Sequence, residues 1–413
     1  MGLLNFWTIS FCLTMSSAIL LGEYEDPPNI RTVHHRVLNI IQDWGYPAEE
    51  HFVTTKDGYI LALHRIPHGR QARKDQQARA IPVFLGHCLV GSSAMWAFGP
   101  PEYSLAYLLA DAGYDVWMPN IRGNTYSRNH THLDTCGSCS EFWDFNIETS
   151  ALIDYPLFID FILEHTGASD LHFAGYSMGT TQFLMLMADK PEYNQKVRTA
   201  YLLGPTAFGG NATNPMLPLA QHAEYIVGTF RLFGFQEFLP NLYGLQSRLF
   251  GKMCRTTALN LKICTEAFAL SIGLSSDKMD SNLVPLYMTH MPAGGSLGQF
   301  HQYAQLFRNG GKFTKFDYGT LSNLVKYGSS EPPEYDLSQV SAPVAFFVGD
   351  NDGFATKADA DKLFDALPNV FQNELLPSEG WTHLDFFLAH DAKELVNERI
   401  VHFIQDFDAA HSS

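Results

Sequence analysis

The sequence predicts an α/β protein: a mostly parallel sheet flanked by helices, with one long helical insertion. Three observations carry this. Short apolar runs alternate with helical segments from about Ile81 to Leu203. The alternation lapses between about Phe208 and Tyr335 and resumes at Val344. A Gly-X-Ser-X-Gly turn also stands directly between a strand run and a helix run.

The elements follow in order. His51 to Thr55 and Tyr59 to His64 flank Lys56-Asp57-Gly58, a hairpin signal. Ile81 to Leu85 is a short strand running into Gly86-His87-Cys88-Leu89. Leu105 to Ala112 reads as a helix stopped at Gly113, and Asp115 to Met118 as the next strand. Ile153 to Glu164 is helical, and Leu171 to Ala174 and Thr199 to Leu203 are strands. After the lapse come a strand at Val344 to Val348, a helix at Thr356 to Leu367 and a strand at Val370 to Leu376. Lys393 to Phe407 closes the chain as an amphipathic helix. An insertion between strands of such a sheet reads as a cap over its C-terminal edge, where open α/β sheets bind ligands. The expected organisation is therefore a core in two parts, 23–207 and 336–413, with a cap at 208–335. Phe230, Leu232, Phe233, Phe235, Phe238, Leu239, Leu249 and Phe250 are read as the cap's own core rather than as a lipid-facing surface.

Composition narrows the function. The 413 residues are 46% hydrophobic, enough for one large domain with an insertion or two modest domains. A net charge of −16 with only 27 Lys and Arg argues against nucleic acid as a partner. Leu3 to Leu21 is apolar but interrupted by Thr8, Ser10, Thr14, Ser16 and Ser17, and a polar stretch begins at Glu23. Residues 1–22 therefore read as a signal peptide, with a retained anchor as the alternative. No other run is long enough to span a bilayer.

Ser177 lies in Gly175-Tyr176-Ser177-Met178-Gly179, after the strand run and before Thr180 to Ala188. A serine at a tight strand-to-helix turn has its hydroxyl lifted clear of the sheet, and the helix N-terminus points N–H groups at a developing oxyanion. This resembles the nucleophile elbow of an α/β-hydrolase. Gly294-Gly295-Ser296-Leu297-Gly298 matches the same pattern, but no uninterrupted strand run leads into it, so it reads as a glycine-rich turn.

A serine needs a base, and the base needs an orienting carboxylate. In this fold class they follow in the order Ser, acid, His. Gly349-Asp350-Asn351-Asp352-Gly353 is an acidic turn after the Val344 strand, and His383 lies in Trp381-Thr382-His383 after the Val370 strand. Asp352 is the expected acid, with Asp350 as a turn-stabilising neighbour. His390, within a later helical pattern, is the weaker base candidate. If Cys12 leaves with the leader, five cysteines remain: Cys88, Cys136, Cys139, Cys254 and Cys264. Their odd number demands a free thiol or an intermolecular bridge. Cys254 and Cys264 flank a short segment and form the best pair; Cys136 and Cys139 are a small loop clip or two free thiols. Asn129-His130-Thr131 and Asn211-Ala212-Thr213 are glycosylation sequons, either of which can be a chance match.

From Val53 to Phe407 the chain resembles the acid lipase family of gastric and lysosomal acid lipases and their insect relatives. The resemblance rests on Asp57-Gly58-Tyr59-Ile60-Leu61, Asp111 to Trp117, Arg122-Gly123-Asn124-Thr125, Glu141-Phe142-Trp143, Gly349-Asp350-Asn351-Asp352 and His383-Leu384-Asp385-Phe386. It implies Asp352 and His383 as triad members and the backbone N–H groups of Leu89 and Met178 as oxyanion donors. It also implies a cap disulfide resembling Cys254 with Cys264. The family usually places His and Gln around the nucleophile, where this chain has Tyr176 and Met178, and His-Gly in the oxyanion loop, where it has His87-Cys88. A positive φ at Cys88 would carry strain that glycine avoids. The expectation is a secreted or lysosomal lipase that hydrolyses neutral lipid esters at a lipid–water interface, without metal or organic cofactor. The alternative is a lipid-binding or storage protein that kept the fold and lost turnover.

Overall fold

The computed structural model describes residues 37–71, 81–215, 217–240, 266, 278–281 and 283–411. The leader and Cys254 and Cys264, with their expected disulfide, lie outside the described residues, as do Leu249 and Phe250.

An eight-stranded sheet organises the chain in the order β1-β2-β4-β3-β5-β6-β9-β10. The strands are β1 (Glu49–Thr54), β2 (Ile60–Ile66), β3 (Pro82–Gly86), β4 (Asp115–Pro119), β5 (Leu171–Tyr176), β6 (Val197–Leu203), β9 (Val344–Val348) and β10 (Val370–Leu375). The hairpin β1–β2 is antiparallel, and so is β2 to β4. Every later pairing is parallel.

Both faces are covered, and period-2 alternation along each strand assigns the residues. Along β9, Val344, Phe346 and Val348 join one core, while Ala345 and Phe347 join the other. The first core is closed by α3 (Tyr155–Thr166) and α4 (Met178–Asp189). The second is closed by α1 (Val37–Asp43), α2 (Leu105–Asp111) and α10 (Glu398–His411). All but one residue of α4 is buried, so it shows no solvent-facing polar stripe; its polar Thr180, Thr181 and Gln182 are buried with hydrogen-bond partners.

Between β6 and β9 the described elements are α5 (Leu217–Gln221), α6 (Ala223–Leu232), β7 (Glu237–Phe238), α7 (Leu283–His290), β8 (Gly295–Ser296), α8 (Leu297–Arg308) and α9 (Thr320–Tyr327). Here the burial expectation fails. Leu232, Phe233 and Phe235 are 83%, 73% and 56% exposed, and Phe230 and Leu239 are exposed as well. The reason is that α6 buries only a narrow stripe, Ala223 and Val227, with Ala223 packed in a small cluster with Ala220 and Ala304. Phe238 alone of the described group turns inward, stacking on Phe300 at 4.8 Å. Leu321 and Val325 of α9 are also exposed. No helix among the described residues is long and apolar enough to cross a membrane.

Candidate active site

The site lies at the C-terminal ends of the parallel strands. Ser177 follows β5 with φ 52° and ψ −114°, a left-handed conformation that a non-glycine residue adopts only under strain. The turn closes because β5 pairs with β3 through Gly175 and Gly86. A Cβ on Gly179 would lie 2.5 Å from the Gly86 carbonyl oxygen, so only glycine lets α4 approach this closely.

Three distant segments meet at this turn. His383 Nε2 stands 2.9 Å from Ser177 Oγ, and His383 Nδ1 stands 2.6 Å from Asp352 Oδ2. All three are buried. The other oxygen of Asp352 accepts the backbone N–H groups of Phe354 and Ala355, each at 2.9 Å, which aims the carboxylate. Asp350 does not reach the histidine. It accepts the N–H groups of Gly380 and Trp381 and thereby ties the acid turn to the histidine loop. A Cβ on Gly204, after β6, would come within 3.2 Å of both the His383 ring and Asp352 Oδ2.

Leu89 lies in the loop after β3, and Met178, next to Ser177, opens α4. Their backbone N–H groups find no acceptor among the described residues. The loop is also where a strain expectation fails. Cys88 does not have positive φ; Val90 does, at 50°. A side chain at 88 therefore meets no backbone penalty, and Cys88 packs into the second core. Burial pushes its thiol up to about 12.

Two features at the site carried no local signal. The Tyr176 hydroxyl donates to the His383 carbonyl at 2.6 Å and its ring lies 5.0 Å from the imidazole, so the residue before the serine clasps the histidine loop. Tyr303 of α8 places its hydroxyl 3.1 Å from Thr181 Oγ1 and 2.9 Å from Thr206 Oγ1, which brings the inserted segment against the elbow helix.

The remaining candidates lie elsewhere. Ser296 caps α8 in a reciprocal box with Gln299, and its hydroxyl donates to the Phe145 carbonyl. His390 is exposed. Cys136 and Cys139 form a disulfide, the clip of the two sequence readings. Asn129 and Asn211 are both exposed, but Asn211 Nδ2 is held by Asp359 at 2.9 Å. Glu49, His51 and His165 are the only described group with ligand atoms close enough to hold a metal. Arg65 Nη1 already donates to Glu49 at 2.8 Å and lies 3.2 Å from His165 Nε2, putting a cation where a metal would bind.

A buried Ser-His-Asp array at a strained strand-to-helix elbow is the arrangement of an α/β-hydrolase. Residues 81–387 match a family described as the alpha/beta hydrolase fold, and residues 37–99 one described as a partial alpha/beta-hydrolase lipase region. The chain belongs to the lipase family of the gastric and lysosomal acid lipases. It is 39% identical to Lipase 3 of Drosophila melanogaster, over 89% of this chain and 92% of that one. It is 36% identical to gastric triacylglycerol lipase of Rattus norvegicus (90% and 92%) and 35% to lysosomal acid lipase/cholesteryl ester hydrolase of Homo sapiens (90% and 91%). Among solved structures, a Sulfolobus solfataricus protein shares the fold at 13% identity and a TM-score of 0.57, over 88% of this chain and 95% of that one.

Proposed function

We propose that this ester hydrolase acts on neutral lipid esters through an acyl-enzyme formed on Ser177. His383 Nε2 takes the serine proton as Oγ attacks the acyl carbonyl, then returns it to the leaving alcohol. Asp352 holds the ring in the Nδ1–H tautomer and stabilises the imidazolium. The Leu89 and Met178 N–H groups receive the oxyanion, and donors of this kind are each worth about 3–4 kcal/mol. Water then deacylates the serine by the same route. The observation that carries the reading is the unbroken relay from Ser177 Oγ through His383 to Asp352, at 2.9 and 2.6 Å.

Segment 208–335 is read as a cap, because α8 reaches the elbow helix through Tyr303. The exposed Leu232, Phe233 and Phe235, with Leu321 and Val325, would meet a lipid–water interface. A secretory route to the cell exterior or the lysosome accords with the disulfide, and of the two sequons Asn129 is the better acceptor because Asn211 Nδ2 is engaged by Asp359.

Triolein, cholesteryl oleate and a short-chain ester, assayed at acidic and neutral pH with native protein, S177A and S296A, test this reading. Loss of hydrolysis and of fluorophosphonate labelling in S177A, with both retained in S296A, is the expected result. Native protein that binds lipid without turnover would instead favour the storage reading.

A further inference from the structure

The oxyanion loop contains a buried imidazole to which the acyl-transfer scheme assigns no task. His87 Nδ1 lies 2.9 Å from the Cys88 carbonyl oxygen. On the other side of the ring, Nε2 lies 3.2 Å from the Ile121 backbone nitrogen and 3.3 Å from Asn124 Nδ2. The backbone N–H can only donate, so Nε2 is the acceptor and the proton sits on Nδ1, where it donates to Cys88. Burial pushes the His87 pKa down to about 4, which keeps the ring neutral and this tautomer in place at milder pH.

The Cys88 carbonyl and the Leu89 N–H belong to one planar trans peptide and point in opposite directions. Whatever anchors that carbonyl therefore aims that N–H. Two donors anchor it: His87 Nδ1–H and the Gly91 N–H, the latter at 2.9 Å. The ring is itself braced, since Asn124 Nδ2 also donates to Asn120 Oδ1 at 2.9 Å, and Asn120 Oδ1 accepts the Ser93 N–H.

We infer that His87 is a positioning residue for the reaction: it fixes the Cys88–Leu89 peptide so that the Leu89 N–H faces the oxyanion. The inference rests on Leu89 acting as an oxyanion donor. The side chain never meets the substrate and acts through the peptide it holds. Misorientation of a pre-set donor reduces transition-state stabilisation and leaves ground-state binding largely intact.

Two variants of similar polarity separate positioning from packing. In His87→Asn the amide nitrogen falls near the imidazole Nδ1 position and can still donate to Cys88. In His87→Gln the amide reaches the Nε2 position and its oxygen can accept from Ile121, but the side-chain donor to Cys88 is lost and only the Gly91 N–H still holds that carbonyl. H87N is expected to keep kcat within about fivefold of native, while H87Q loses on the order of 10–100-fold in kcat with KM changed by less than about threefold. The rate of fluorophosphonate labelling should fall in parallel in H87Q, since the phosphoryl oxygen uses the same donors. If H87Q matches native kcat, or if H87N loses as much as H87Q, the positioning role is wrong. Failure of S177A to abolish turnover would overturn the acyl-enzyme reading itself, whereas a null result in the H87N and H87Q pair overturns only the role of His87.

Discussion

Asp352→Asn changes one atom of the candidate triad, and its consequence follows from hydrogen-bond directions alone. One oxygen of Asp352 accepts two backbone N–H groups, from Phe354 and Ala355, and the other faces His383 Nδ1. In the asparagine variant, turning the amide NH2 toward those backbone groups would set donors against donors, at about 1–3 kcal/mol for each group left unsatisfied. The amide oxygen therefore stays on the backbone and the NH2 points at the ring. His383 must then accept at Nδ1 and carry its proton on Nε2, where it can no longer take one from Ser177. The comparable tautomer change in a serine protease costs about 10⁴-fold. With the flipped amide as a minor escape route, kcat on a short-chain ester should fall by about 10³–10⁴-fold, or about 4–5 kcal/mol of barrier. Circular dichroism and melting temperature should stay near native, because volume and backbone contacts are retained. Asp350→Asn is the control, since Asp350 touches only the Gly380 and Trp381 amides, and its kcat should stay within about tenfold of native. D352N with more than about a tenth of native kcat, or equal losses in the two variants, would refute the reasoning.

Arg122→Leu should destabilise the fold by about 3–5 kcal/mol in urea unfolding, because it strands buried Asp154, which Arg122 contacts through Nε, Nη2 and its backbone N–H. The double variant R122L/D154L should recover much of that loss. Cys88→Gly should leave kcat within about threefold, since Cys88 carries no positive φ, while costing about 1–2 kcal/mol of stability from lost packing and added chain entropy. Native protein should resist thiol reagents at Cys88 until denatured, because burial holds the thiol protonated. His87 sets a slope in acid. Its folded pKa is depressed from 6.5 to about 4, so the unfolded chain binds a proton that the folded chain refuses. The associated stability is fully present above pH 6.5 and declines as pH falls toward 4, by about 2–3 kcal/mol at pH 4.5. The loss of unfolding free energy between pH 7 and 4.5 should be smaller in H87N by that amount, and equal losses would contradict it.

The local part of this architecture was legible in the residues. Strand alternation, the elbow at Ser177 and its separation from the decoy at Ser296 depend on covalent neighbours, because a strand run and a helix run are properties of adjacent residues. The chain order of acid and histidine followed from the loops that end successive strands. Tertiary structure decided what depends on residues far apart in the chain. His383 and Ser177 are 206 positions apart, and only the sheet order brings β5, β6, β9 and β10 side by side to join them. That same proximity separates Asp352, aimed at the ring, from Asp350, spent on the histidine loop. It also gives Tyr176 its hold on His383 and Gly204 its need to lack a side chain. The phenylalanines of 208–335 show the limit most plainly. Apolar composition predicts burial only when another surface is available to cover the group, and α6 buries Ala223 and Val227 while Leu232 and, just past its end, Phe233 and Phe235 stay outside. In the oxyanion loop, strain follows backbone angles set by long-range contacts, such as the Ala293 N–H donating to the Val90 carbonyl. It therefore fell on Val90 rather than on Cys88, which stood out because it replaces the glycine usual in the family.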